Sequence, residues 1–405
     1  MTPQRLEELL ALYRDGLLND TIPFWTRHSP DRECGGFLSY LDADGSVVSH
    51  DKPVWVQGRF TWLLSRLYND VEKRQEWLDL ARFGADFILK HAFDADGRCF
   101  FRVTRDGRGL IKRRYLFSEM FVIIALAELS QALSDVEPAE SRRLRDKAEE
   151  VYRRALMYYT TPGLLPPKTM PGVRPAKSHA MPMILLATTQ VLRRTGDSPL
   201  YQHVIDRAIF EVTHHFLRRD ERVLLETVGP NGERLDGPEG RLCNPGHAIE
   251  TAWFLMEEAR HRRDKTLLQD ALTILDGSLD IGWDKAFGGI LYFVDIEGKP
   301  PEPYEHDMKL WWPHNEAIYA TLLAYHLTRK PQYLEWHKRV HDWSYAHFPD
   351  RQHGEWFGYL HRDGTLSSTV KGNYWKGPFH LPRMQLYCWK LLEQIKAGAP
   401  GAEGW

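Results

Sequence analysis

Apolar residues recur along this chain at helical spacing in paired stretches, two between successive turn signals. Phe60 to Tyr68 is followed by Trp77 to Leu89, and Met120 to Leu133 by Ala148 to Tyr158. The turn signals are Asp44-Gly45, Asp106-Gly107, Pro171-Gly172, Asn231-Gly232, Glu297-Gly298 and Asp363-Gly364. Most follow a short extended segment, as in Gly-Gly-Phe-Leu-Ser-Tyr-Leu-Asp-Ala-Asp-Gly (35 to 45). Asp-Gly and Asn-Gly supply the positive φ of tight hairpin turns; Pro171-Gly172 is the weakest of the set. The steps between signals are 62, 65, 60, 66 and 66 residues, which predicts six units of two helices each. A lone helical hairpin cannot bury its apolar stripe, so neighbouring units must pack side by side. The outcome is an open stack or a closed toroid, and the toroid is an all-α (α/α)6 barrel of twelve helices with β-hairpins on one rim. No Pro/Gly/Ser-rich linker interrupts the series. One domain is expected over 1–396, with a flexible tail from Ala397 to Trp405.

One helix of each unit starts soon after its turn, and several open with proline in the first turn, where its missing N–H matters least: Pro53, Pro182, Pro245, Pro313 and Pro382. Around these openings lie polar residues that folding alone does not require: Arg59, Glu119, His179, His247, Glu250, Glu316, His380 and Arg383. From Arg59 through Glu119, His179, His247 and Glu316 to His380, the steps are 60, 60, 68, 69 and 64 residues, the same period as the turns. If the ring closes, these side chains converge on one cavity, beside helix N-termini that favour an anion. His247 and Glu250 share a helix face at i, i+3, so the carboxylate is expected to hold the imidazole and set its tautomer. The alternative is a buried polar pair at a helix start. Arg59 reads as an oxyanion clamp or as an ion-pair partner in the wall. Glu316 orients a neighbour or binds hydroxyls, and Trp311, Trp312 and Trp375 form a stacking floor for a sugar or simply wall packing. Structural roles are favoured for Glu119 and His179.

Composition narrows the field. Hydrophobic residues at 43% and charged residues at 27% are those of a folded protein. A net charge of -2 gives no electrostatic case for nucleic acid or an anionic membrane. Met1 to Asn19 has no uninterrupted apolar core and reads as neither signal peptide nor spanning segment. Cys34, Cys99, Cys243 and Cys388 show no paired spacing and read as reduced thiols of a cytoplasmic protein. The chain has 18 His but no His-Glu-x-x-His, Cys-x-x-Cys or phosphate-cradling glycine loop, so neither a metal nor a nucleotide cofactor is expected.

Six segments, in order, are similar to the N-acylglucosamine 2-epimerase (renin-binding protein) family: 24 to 29, Val-Trp-Val-Gln-Gly-Arg (54 to 59), Asn-Pro-Gly-His-Ala-Ile-Glu (244 to 250), 308 to 317, 354 to 360 and Lys-Gly-Pro-Phe-His-Leu-Pro-Arg (376 to 383). The resemblance implies an (α/α)6 barrel that interconverts N-acetylglucosamine and N-acetylmannosamine. It also implies that His247 and His380 are the essential histidines and Arg59 the active-site arginine. One histidine then removes the C2 proton of the open-chain sugar, Arg59 holds the enediolate-like intermediate, and the other histidine returns a proton to the opposite face. Glu250 is expected as the partner of His247, and the candidate sugar contacts are Glu316, Trp312, Trp375, His179, Arg383 and Glu119. Family likeness also implies a homodimer and, in some members, ATP as an effector, although no nucleotide motif carries that over. His179 and Trp375 look more like cellobiose 2-epimerases and aldose–ketose isomerases, which leaves a free-sugar substrate as the second reading. A glycoside hydrolase would need two opposed carboxylates, for which Glu119 and Glu316 are the only candidates.

Overall fold

The computed structural model describes residues 1–167, 169–170 and 172–405. Its helices are α1 (Pro3–Gly16) and α2 (Ile22–His28), joined by a widened turn, then α3 (Val54–Asp70), α4 (Gln75–His91), α5 (Phe117–Leu133) and α6 (Pro138–Thr160). After these come α7 (Ala180–Thr195), α8 (Pro199–Glu211), α9 (Pro245–Arg262), α10 (Lys265–Gly282), α11 (Trp311–Thr328), α12 (Pro331–His347) and α13 (His380–Lys396). Because α1 and α2 run as one outer element, the packing units among the described residues number twelve, as the periodicity predicts.

α3, α5, α7, α9, α11 and α13 pack side by side in that order. Phe379, at the start of α13, closes the ring, its aromatic centroid 5.4 Å from that of Trp62 on α3. Behind this inner ring, α4, α6, α8, α10 and α12 each back the inner helix that precedes them, and α1 backs α13. The toroid is therefore a closed (α/α)6 barrel. In one respect it departs from the sequence pattern: the sixth hairpin is assembled from the two ends of the chain, so α1 completes the unit that α13 begins. Position in the ring explains composition. α5, wedged between two inner neighbours and an outer helix, is buried continuously from Ser118 to Ser130. α6 buries only the stripe Leu144, Ala148, Val151, Tyr152 and Ala155.

Short strands stitch the rim where the inner helices begin. Residues 52–53 pair with 102–103, 177–178 with 227–228, 242–243 with 294–295, and 309–310 with 359–360. In each pair the strand leading into an inner helix joins the hairpin strand of the following unit. From the last unit back to the first, Lys371 N donates to Leu41 O at 2.9 Å. Gly45, Gly107, Gly232, Gly298 and Gly364 all sit at positive φ, as the turn signals require. The Pro171-Gly172 signal includes Pro171, which lies outside the described residues.

Three inner helices start from a buried ion pair: Lys52–Asp31 at 2.9 Å ahead of α3, Lys309–Asp284 at 2.9 Å ahead of α11, and Lys376–Glu355 at 2.6 Å ahead of α13. Removing one partner of such a pair strands a buried charge, at about 3–5 kcal/mol. These are the helices that carry Arg59, Glu316 and His380, so the anchors fix the height of those side chains in the barrel. α9 starts differently, with Asn244 Oδ1 accepting from His247 N at 3.0 Å and Pro245 in the first turn. Past α13, Ala399 O accepts from Arg329 Nη2 at 2.6 Å and Ala402 is buried. No helix of the described residues is long and apolar enough to cross a membrane.

Candidate active site

A cavity of about 1230 Å³ runs down the barrel axis, from Trp55, Tyr292 and Trp375 at the stitched rim to Arg260 and Lys390 near the other end. Arg59, His247, Glu250, Trp312, His380 and Arg383 line it. Thus the residues singled out on α3, α9, α11 and α13 do meet.

His380, at the start of α13, points its Nδ1 at Glu316 Oε1, 2.6 Å away. A carboxylate only accepts, so Nδ1 carries the hydrogen and Nε2 keeps its lone pair. Arg383, one turn on, donates from Nη2 to Glu316 Oε1 at 2.7 Å and to Glu250 Oε1 at 2.6 Å. Burial, then the cations of Arg383 and Arg59, hold His380 well below its usual pKa, so it is neutral at neutral pH. Burial works against the charge of Arg383, but Glu316 and Glu250 raise its pKa above the usual value.

His247 is held the opposite way. Its Nδ1 lies 3.1 and 3.2 Å from the two oxygens of Glu226, a residue of the segment between α8 and α9. Burial disfavours the imidazolium, but the Glu226 charge and hydrogen bond outweigh it, and the pKa of His247 is raised. Glu226 itself stays below the usual carboxylate range despite burial, because His247 and His179 face it. The expected His247–Glu250 pairing is therefore corrected: Glu250 engages Arg383, and Glu226 is the carboxylate on His247. The i, i+3 spacing puts the two on one helix face, but His247 in the first turn reaches up to the rim while Glu250 reaches inward to α13. The aromatic ring of Trp312 bridges the two histidines, with centroids 5.2 Å from His247 and 5.7 Å from His380.

Arg59 donates from Nη1 to Trp375 O at 3.0 Å, and its guanidinium lies over the rings of Phe121 (4.1 Å), Phe379 (4.7 Å) and Trp55 (5.1 Å). Glu250 and Glu316 support its charge only from a distance, and burial pulls its pKa down to about 9. An arginine held by aromatic faces and a carbonyl, rather than by a carboxylate, keeps its attraction for an incoming anion. Trp375, 41% exposed, flanks the mouth, its ring 5.4 Å from that of Trp55.

Three expected sugar contacts are corrected. Glu316 has both oxygens committed, Oε1 to His380 and Arg383 and Oε2 to Trp253 Nε1 at 2.7 Å, so it orients its neighbours. His179 is wholly buried behind Glu226, with Nε2 3.0 Å from Thr251 Oγ1. Glu119 accepts from Arg98 Nε and Cys99 N, each at 3.0 Å, under the rim segment that covers it. With Glu119 there, the carboxylate pair that a hydrolase would need is not opposed across the cavity. Glu250, Glu316 and His380 bring one ligand atom each within 4.8 Å of one another. The Arg383 cation bonds to both carboxylates of that group, so the set suits a guanidinium rather than a metal ion.

The N-acylglucosamine 2-epimerase family model matches residues 35–380. The chain is 36% identical to N-acylglucosamine 2-epimerase of Mus musculus over 386 residues, covering 93% of this chain and 90% of that one. It is 23% identical to cellobiose 2-epimerase of Dictyoglomus turgidum over 410 residues, covering 94% and 97%. Among solved structures, cellobiose 2-epimerase from Bacillus thermoamylovorans superposes with a TM-score of 0.80 at 20% identity, over 96% of this chain and 100% of that one. A D-mannose isomerase does so at 0.77 and 17%, over 97% and 98%. These two likenesses concern the fold. The family rests on the sequence match: this chain belongs to the N-acylglucosamine 2-epimerase family, a family of isomerases.

Proposed function

We propose that this enzyme interconverts an N-acylglucosamine and the matching N-acylmannosamine by proton transfer at C2 of the open-chain sugar. The observation that carries this is a pair of imidazoles flanking one cavity, each with Nδ1 on a glutamate: His380 on Glu316, with its pKa lowered, and His247 on Glu226, with its pKa raised. Shifts in opposite directions suit one ring to accept and the other to donate, as a two-base epimerisation needs. His380 Nε2 takes the C2 proton, and the C2–H electron pair forms the C1–C2 double bond as the carbonyl becomes an oxyanion. Arg59 stabilises that oxyanion. His247 Nε2–H then protonates C2 from the other face as the oxyanion collapses back to the aldehyde, leaving the epimer, a charged His380 and a neutral His247, which solvent resets.

The N-acyl substrate is supported by the 36% identity to an N-acylglucosamine 2-epimerase, against 23% to a cellobiose 2-epimerase. A free-sugar substrate rested on His179 and Trp375 together; His179 is sealed behind Glu226, so only Trp375, at the mouth, still favours it. The test is an NMR panel in D2O with N-acetylmannosamine, mannose and cellobiose, beside a His247→Gln/His380→Gln control. Deuterium at C2 of the epimer formed from N-acetylmannosamine is expected. Turnover of mannose or cellobiose alone would move the substrate class to free sugars.

A further inference from the structure

We propose that Glu226 is the positioning residue of the protonating half of the site: it fixes the His247 ring with Nε2–H presented to the cavity, and His179 with Thr251 forms the buried support behind it. This rests on the reading of His247 as the proton donor. Both Glu226 oxygens face the one Nδ1, at 3.1 and 3.2 Å, so the ring is held against both rotation and tilt. The carboxylate has little freedom of its own. Its backbone is pinned on two sides, Glu226 N donating to Leu242 O at 3.1 Å and Glu226 O accepting from His179 N at 3.0 Å. His179 Nδ1 lies 3.8 Å from Glu226 Oε1, and its Nε2 meets Thr251 Oγ1 on α9, the helix that carries His247. The path from α9 through Thr251, His179 and Glu226 back to His247 closes on itself, joining two inner-helix starts and the strand segment between them.

The other titratable groups facing this pair are Glu250 one turn along α9, His380 across the cavity, Arg383 beyond Glu250, Tyr292 and Glu305 on the next hairpin, and Cys243 behind Glu226. Among them only Glu250 shares with Glu226 a charge that raises His247. Replacing Glu226 by a neutral amide therefore leaves burial as the dominant influence, and His247 gives up its proton at lower pH.

The experiment is a ¹⁵N-histidine NMR titration of His247, assigned with His247→Gln, in the wild-type protein and in Glu226→Gln, alongside the pH dependence of C2 exchange. The wild-type midpoint is expected above 6.5, falling by a pH unit or more in Glu226→Gln. The alkaline limb of kcat should move down with it, kcat should drop about 10–100-fold, and KM should change little. Glu226→Asp should bring the limb part of the way back, and His179→Gln should shift it in the same direction by less. A wild-type midpoint below 6.5, or a folded Glu226→Gln variant that loses activity with the limb unmoved, overturns the assignment. The titration needs no substrate, so it decides the role of Glu226 even if the sugar panel fails and the functional reading falls with it.

Discussion

The two histidine neighbourhoods are built from the same kinds of side chain and shift the imidazole pKa in opposite directions. Each imidazole turns Nδ1 to a glutamate, His380 to Glu316 and His247 to Glu226. The difference lies in what else the glutamate holds. Glu316 is shared with Arg383, so its negative charge is largely spent, and a second cation, Arg59, lies within electrostatic reach of the ring. Glu226 faces two imidazoles, His247 and His179, and its charge acts on them. A carboxylate beside a histidine therefore does not by itself make an imidazolium. Net local charge decides, and here it shifts two histidines on one cavity in opposite directions.

This contrast can be attacked at several points, the most severe first. His380→Gln removes the acceptor and should lower C2 deuterium exchange by about 10³-fold or more; a loss below tenfold would show that another group takes the proton. Glu316→Gln should reduce kcat by roughly 10²-fold, since the ring loses its anchor and Arg383 keeps only Glu250. Arg59→Lys retains a charge but not the planar group that three aromatic rings hold, and a drop of about tenfold, mostly in kcat, is expected.

The pH profile sharpens the same comparison without any substitution. On the proposed mechanism His380 acts when neutral and is lost as pH falls through its depressed midpoint, so the acid limb of kcat should lie below 6.5. His247, the proposed donor, acts when protonated and is lost as pH rises through its raised midpoint, so the alkaline limb should lie above 6.5. An acid limb above 6.5 would contradict the cationic shielding of His380. The smallest effect on catalysis belongs to Glu119→Gln. It should leave kcat of the folded enzyme within about twofold of wild type while lowering Tm, because Arg98 loses its buried partner.

Much of this arrangement is legible in the sequence because repetition writes it there. A period near 65 residues and proline at the helix starts locate Arg59, His247, Glu316 and His380, and the structure places all four at the axial end of an inner helix. The period does not reveal which way a side chain turns. Glu119 and His179 keep the same spacing, yet one is capped by Arg98 and Cys99 N and the other leans on Thr251. Glu226 lies outside the helical period because it stands between two short strands, 223–224 and 227–228. The available signal was an acid inside Val-Leu-Leu-Glu-Thr-Val (223 to 228), an apolar run in which a buried carboxylate needs a partner.

The pairing of α1 with α13 has a bearing on how the enzyme comes into being. The helix that carries His380 and the helix that backs it are the elements furthest apart in chain order, and Lys396 Nζ meets Glu7 Oε1 at 2.6 Å where they join. A growing polypeptide therefore holds the elements around His247 and Glu226 before α13, with His380, has been made, while α1 waits for its partner helix. Without α13 the ring is not closed, and the faces of α11 and α1 that α13 covers stay uncovered. Late closure of this kind makes catalytic competence a report that the whole ring has been made.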